Sequence, residues 1–200
     1  MKVSFTERMA GYYTVGSPAY DTGDVTGRRD GQRLSFRVII STDDVRRVRD
    51  DPRHRMAVRG DVWCKQFAAG AMPVVGGAFD LFTPTDGMRY EMRYRLPFRT
   101  RDGSVMTLLG HKNVGNDWGW DAWRDTTTLF TRLVDGAVAE YPEGPDGGDF
   151  ARGILRLDAG MFARQLTTFR GSPAGVVGFN AFFLDRFRRV YQFPPKRRPR

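Results

Sequence analysis

The stretch Met88–Phe98, MRYEMRYRLPF, decides the fold. Met88, Tyr90, Met92, Tyr94, Leu96 and Phe98 alternate with Arg89, Glu91, Arg93 and Arg95. Successive side chains of a β-strand point to opposite faces, so this spacing separates an apolar row from a charged one. A helix would spread the same charges around its circumference. The stretch predicts a strand with one wet face and one buried face.

Outward from it, other segments follow the same period. Val3–Val15 is rich in β-formers. Leu34, Phe36, Val38 and Ile40 share a face, as do Met56, Val58, Gly60, Val62 and Cys64, and then Val75, Gly77, Phe79 and Leu81. Val105–Val114, Thr126–Val134 and Gly153–Leu157 complete the strand-like set. The Asp-Gly pairs at 30–31, 86–87, 102–103 and 135–136 suit tight turns with positive φ. Sequential strands joined this way predict a mainly β fold, an antiparallel, calycin- or lipocalin-like β-barrel of about eight strands, with room inside for side chains or one ligand. A β-sandwich is the alternative.

Three segments leave the strand period. Thr42–Arg49 opens with capping and acidic residues and stops before Pro52, as a short helix does. Asp158–Phe169 and Ala174–Phe193 carry apolar residues at helical spacing and predict C-terminal helices that cover the barrel or its mouth. Gly136–Phe150 and Gly16–Gln32 read as mobile loops. The organisation expected is one domain over residues 1–193 and a basic, disordered tail at 194–200.

Composition narrows the function classes. One cysteine, Cys64, excludes an intrachain disulfide. With His54 and His111 it makes no zinc cluster unless carboxylates join, so no metal is expected. Of the formal charge of +9, four charges lie in the closing PPKRRPR, which leaves a mildly basic body; for that tail weak contact with acidic lipid or nucleic acid is the functional alternative to a disordered end. The aromatics alternate in strands with no basic helix beside them, which argues against nucleic-acid binding. The N-terminal MKVSFTERMAG lacks a signal-type apolar run and no stretch is long enough to span a bilayer, so a cytoplasmic location is expected.

The order of motifs carries a resemblance. SFTERMAG at Ser4–Gly11 is followed by DDPRHRMAVRGDV at Asp50–Val62, GGAFDLF at Gly76–Phe82 and MRYRLPF at Met92–Phe98. LLGHKNV at Leu108–Val114, DAWRDTTTLFTRL at Asp121–Leu133 and GILRLDAGMFARQLTTFR at Gly153–Arg170 complete the series. Over Ser4–Tyr191 the chain resembles a bacterial accessory domain found beside cholesterol-oxidase-like glucose-methanol-choline oxidoreductases and some α/β-hydrolases. The resemblance implies an accessory role near steroid or lipid chemistry and a possible partner oxidoreductase; it supplies no catalytic residues. The Gly-rich dinucleotide fingerprint and the G-x-S-x-G elbow are both absent from the sequence, so no cofactor is expected.

A few residues stand out chemically. His111 and Lys112 are consecutive on a strand, so one faces in and one out. If Leu109 faces the core, so does His111; if Leu108 does, Lys112 is the buried one. A buried lysine needs a carboxylate. Glu7, beside Phe5 and Met9 on an apolar face, is one candidate, and Asp121 and Asp125 are others. The pair is read as a structural ion pair or as proton-transfer groups acting on a bound carbonyl compound. Tyr90, Met92, Tyr94 and Phe79 line the prospective interior, and Trp118, Trp120 and Trp123 would plug or rim its mouth. Cys64 reads as an inert buried thiol, and His54 as a loop or strand-entry residue.

Three functions fit these features. The first is a binding or accessory module for a hydrophobic ligand, a steroid or acyl lipid. The second is a cofactor-independent isomerase or cyclase acting on a lipid-like carbonyl compound. The third is a structural interaction domain with a filled core.

Overall fold

The computed structural model describes residues 1–85, 89–114, 127–142, 148–157 and 168–190. In chain order the elements are β1 (Val3–Val15), α1 (Tyr20–Arg29), β2 (Arg33–Thr42), α2 (Val45–Asp50), β3 (Arg55–Cys64), β4 (Met72–Pro73), β5 (Gly77–Thr85), β6 (Arg89–Arg99), β7 (Val105–Val114), β8 (Thr128–Asp135), β9 (Ala151–Arg156), β10 (Arg170–Gly171) and α3 (Pro173–Val190). Strands β1-β2-β3-β5-β6-β7-β8-β9 pair in that order, all antiparallel, and β9 pairs back onto β1. The sheet is therefore a closed eight-stranded β-barrel, not a sandwich. The short strands β4 and β10 pair with β3 and β1.

The period-two rows supply the interior. Tyr90, Met92, Tyr94, Leu96 and Phe98 of β6 stand opposite Val114, Lys112, Gly110, Leu108 and Met106 of β7. Phe5, Glu7 and Met9 of β1 are buried in the same alternation, as are Leu34, Phe36, Val38 and Ile40 of β2. On β5 the alternation is broken by a register shift between Asp80 and Thr83, with Phe82 at φ 53, and both Leu81 and Phe82 become buried. The Asp-Gly turns behave as expected where described: Gly31, Gly103 and Gly136 all have positive φ.

The two barrel ends are closed differently. At the end where β1 finishes, Phe67 packs on Phe98 and Phe150 with centroids 6.1 and 5.5 Å apart. At the end where β1 begins, α3 lays Phe179 on Phe5 of β1 at 5.9 Å and Phe183 on Phe82 of β5 at 5.4 Å. The helix thus reaches across that mouth, as its apolar stripe predicts. Among the described residues no helix is long and apolar enough to cross a membrane.

Two loop readings are corrected. Gly16–Gln32 contains α1, seated on the outside of β1 and β9. The sequence YDTGDVTGRR hides this helix because Gly23 and Gly27 are poor helix formers. They are required by contact: a Cβ at Gly23 would strike the carbonyl oxygen of Arg152, and one at Gly27 that of Tyr13. Within Gly136–Phe150, residues 136–142 lie against the outer sheet. Thr107 donates to the Gly136 carbonyl at 2.7 Å and Arg95 to that of Val138 at 3.1 Å. The predicted helix at Asp158–Phe169 and the tail at 194–200 lie outside the described residues, apart from 168–169, which are not helical.

Candidate functional site

Strand parity selects the site. Leu108 and Leu109 are both buried, at 0% and 1% exposure, so burial alone does not say which faces the core. Register does: Leu108 lies opposite Leu96, and Lys112, four residues on and so on the same face, lies opposite Met92, inside the barrel. His111 lies opposite Arg93, outside. The two residues therefore never share a site.

Inside, Lys112 and Glu7 are 3% and 2% exposed. Lys112 Nζ donates to Glu7 Oε1 at 2.6 Å. The Tyr94 hydroxyl donates to the same carboxylate, at 3.0 Å to Oε2 and 3.2 Å to Oε1. The lysine nitrogen also lies 5.1 Å from the centroid of the Tyr94 ring. Phe79 and Phe36 flank that ring at 4.7 and 6.0 Å. Burial pushes the Tyr94 hydroxyl well above the ordinary tyrosine range, and the Glu7 charge adds to it. Tyr94 is thus held as a donor. A cation, an anion and a hydroxyl converge on one patch of an otherwise apolar wall, on strands β1, β6 and β7.

The other anticipated lining residues are distributed around this cluster. Met92 and Phe79 are buried in the core; Tyr90 is partly buried and packed against it. Trp118, Trp120, Trp123, Asp121 and Asp125 lie outside the described residues. Of the three carboxylates considered as partners for Lys112, the structure puts Glu7 there. The link from Tyr94 to Glu7 was not foreseen. Its only signal in the sequence is a tyrosine on the same apolar face as its strand's methionines.

Cys64 is buried and donates to the Tyr13 hydroxyl at 3.0 Å. Burial raises its pKa, in keeping with an inert thiol. His54 is the residue just before β3, a strand-entry position as expected, and it is also buried: its φ is 50, its Nδ1 is 2.8 Å from the Val48 carbonyl oxygen, and its ring lies edge-on to Phe182 at 5.0 Å.

Outside the barrel, His111 joins a second cluster that the sequence did not reveal. Its ring stacks on Phe130 at 5.4 Å and meets Tyr20 edge-on at 5.7 Å. Its Nδ1 is 3.2 Å from the Tyr141 hydroxyl. Burial lowers the imidazole pKa and Arg93 and Arg132 add to this, while Glu91 opposes it. Among the described residues, no group of three His, Cys, Asp or Glu side chains is placed to hold a metal.

Compared with family models, curated proteins and solved structures, the chain matches none of them.

Proposed function

We propose that this barrel is a binding module for a hydrophobic small molecule bearing one polar oxygen, a steroid or acyl lipid, received at the Lys112–Glu7–Tyr94 cluster. The observation that carries the reading is the polar trio itself. A buried ion pair is seldom more stable than an apolar replacement of equal volume, so its place on the inner wall of an apolar barrel supports a role beyond packing. Lys112 has two further N–H groups to offer a ligand oxygen, and Met92, Phe79 and the rim residue Tyr90 supply apolar wall. The motif order at Ser4–Arg170 further supports a place beside an oxidoreductase that handles such a molecule.

The test is native mass spectrometry of the purified chain, followed by displacement of a fluorescent fatty acid by cholesterol or oleate. Co-purified lipid or saturable displacement, lost in Lys112→Met, is the expected result. A chain that carries no lipid and binds neither probe would overturn the reading and leave a filled structural barrel.

The same cluster favours a second reading, an isomerase acting on a carbonyl compound. Glu7 carboxylate would take a proton from the carbon beside the carbonyl, Lys112 and Tyr94 would donate to the developing enolate oxygen, and the Glu7 carboxyl would return the proton to a different carbon of the conjugated enolate, so that the substrate is isomerised with no net gain or loss. Isotope exchange from solvent into an enolisable ketone separates the two: exchange by the wild-type chain that is lost in Glu7→Gln marks the enzyme, and saturable lipid binding with no exchange marks the module.

A further inference from the structure

Among the described residues, the outer face of β6–β9 carries more arginines than carboxylates. Register sets two cross-strand rows there: Arg93, His111, Phe130 and Ile154, and beside it Arg95, Leu109, Arg132 and Arg152. Arg132 and Arg152 are direct neighbours, and like charges in that position repel. One carboxylate serves both. Asp149 receives Arg152 Nε on Oδ2 at 2.6 Å, whereas its Oδ1 is 3.5 Å from Arg132 and forms no hydrogen bond. Arg132 is 5% exposed, and its Nε has no hydrogen-bond partner among the described residues. Arg95 Nε in the same row has none either. A guanidinium presents five donors, and leaving them unmet in a buried place is costly.

The groups around Arg132 suit an anion on a flat body. Tyr20, Phe130 and His111 form a mutually packed aromatic wall. The Tyr141 ring lies 5.0 Å under the Arg93 guanidinium, and its hydroxyl meets His111. The charge of Arg132 lowers the pKa of both Tyr20 and Tyr141 against the dominant effect of burial, so both rings lie within its field.

We propose that Arg132 is the anchor of an oxyanion-binding site on this outer face, taking a carboxylate or phosphate group, with Tyr141 as a second donor and the aromatic wall beside it. The site lies across the sheet from Lys112 and does not depend on the barrel interior being a ligand site.

Calorimetric titration of the whole chain at low ionic strength, with benzoate and with inorganic phosphate, tests it. Saturable binding of either anion is expected, weakened about tenfold or more in Arg132→Met and severalfold in Tyr141→Phe. Binding of benzoate alone identifies a carboxylate on a ring, and binding of phosphate a phosphoryl group. If Arg132→Met does not fold, Arg132→Lys, which keeps charge but loses the fork, and Tyr141→Phe carry the comparison. Absence of binding by both anions, or equal affinity in the wild type and in every folded variant, overturns the proposal.

Discussion

Lys112 and Glu7 are tolerated inside the barrel only because each meets the other. Removing one partner leaves a buried charge, so Lys112→Met and Glu7→Gln alone should each destabilise the protein. Lys112→Met strands a carboxylate and should cost about 3–5 kcal/mol, whereas the Glu7→Gln/Lys112→Met double variant should recover much of that. Urea denaturation of the three variants checks this, and additive losses would contradict the pairing. Four tyrosines make a second residue-scale prediction. Burial raises the pKa of Tyr13, Tyr20, Tyr94 and Tyr141, so the folded chain keeps these protons after the unfolded chain has lost them. Their contribution to stability is therefore complete below the ordinary tyrosine pKa of about 10 and falls away as the pH rises beyond it. The urea midpoint should be level between neutral pH and about 10 and drop above it. Ultraviolet titration of the native protein should show these phenols ionising late.

At the scale of elements, legibility followed covering. β6 could be read from its residues because one face is charged and the other apolar, and a single alternation is enough. β7 was legible as a strand over Val105–Val114, but not which of its faces is the inner one, because VMTLLGHKNV has apolar residues on both. The outer one, Leu109, is buried between Arg95 and Arg132 of the neighbouring strands, and Arg95 in turn reaches the Val138 carbonyl. α1 was missed for the opposite reason: its glycines serve contact with β1 and β9 at the expense of helix propensity. The consequence can be measured. In an isolated helix Gly→Ala gains about 1 kcal/mol. Here Gly23→Ala or Gly27→Ala places a methyl against strand backbone and should destabilise the protein instead. A stabilised Gly27→Ala variant in thermal denaturation would mean that α1 does not sit where it is described. The described part of the 136–142 segment is tied down by Glu140, which Arg55 and Arg53 hold at a pKa of about 2. That tie is present at neutral pH and is lost as the pH falls from the ordinary glutamate value toward 2. Cleavage by pepsin near residues 136–142 should rise through that window, and Glu140→Gln should remove the dependence.

For the whole molecule, closure is the deciding feature. Tyr12 pairs with Ile154 and Gly11 with Leu155, so the first long strand and the last are sealed together and no edge remains among the eight barrel strands. Amide hydrogens of β1 and β9 should consequently exchange about as slowly as those of β6 and β7. Early exchange confined to the β1–β9 ladder would show that the barrel opens there. Period-two alternation in the sequence determined by itself that the chain is a sheet with one greasy face, and it named the rows that fill the interior, because side-chain direction on a strand is a local property. Tertiary structure alone decided which of Lys112 and His111 turns inward, which carboxylate answers the lysine, and what gathers over the outer arginines. Those outcomes depend on cross-strand register and on segments that arrive from more than a hundred residues away, as Glu7 does to Lys112, and no local pattern encodes them.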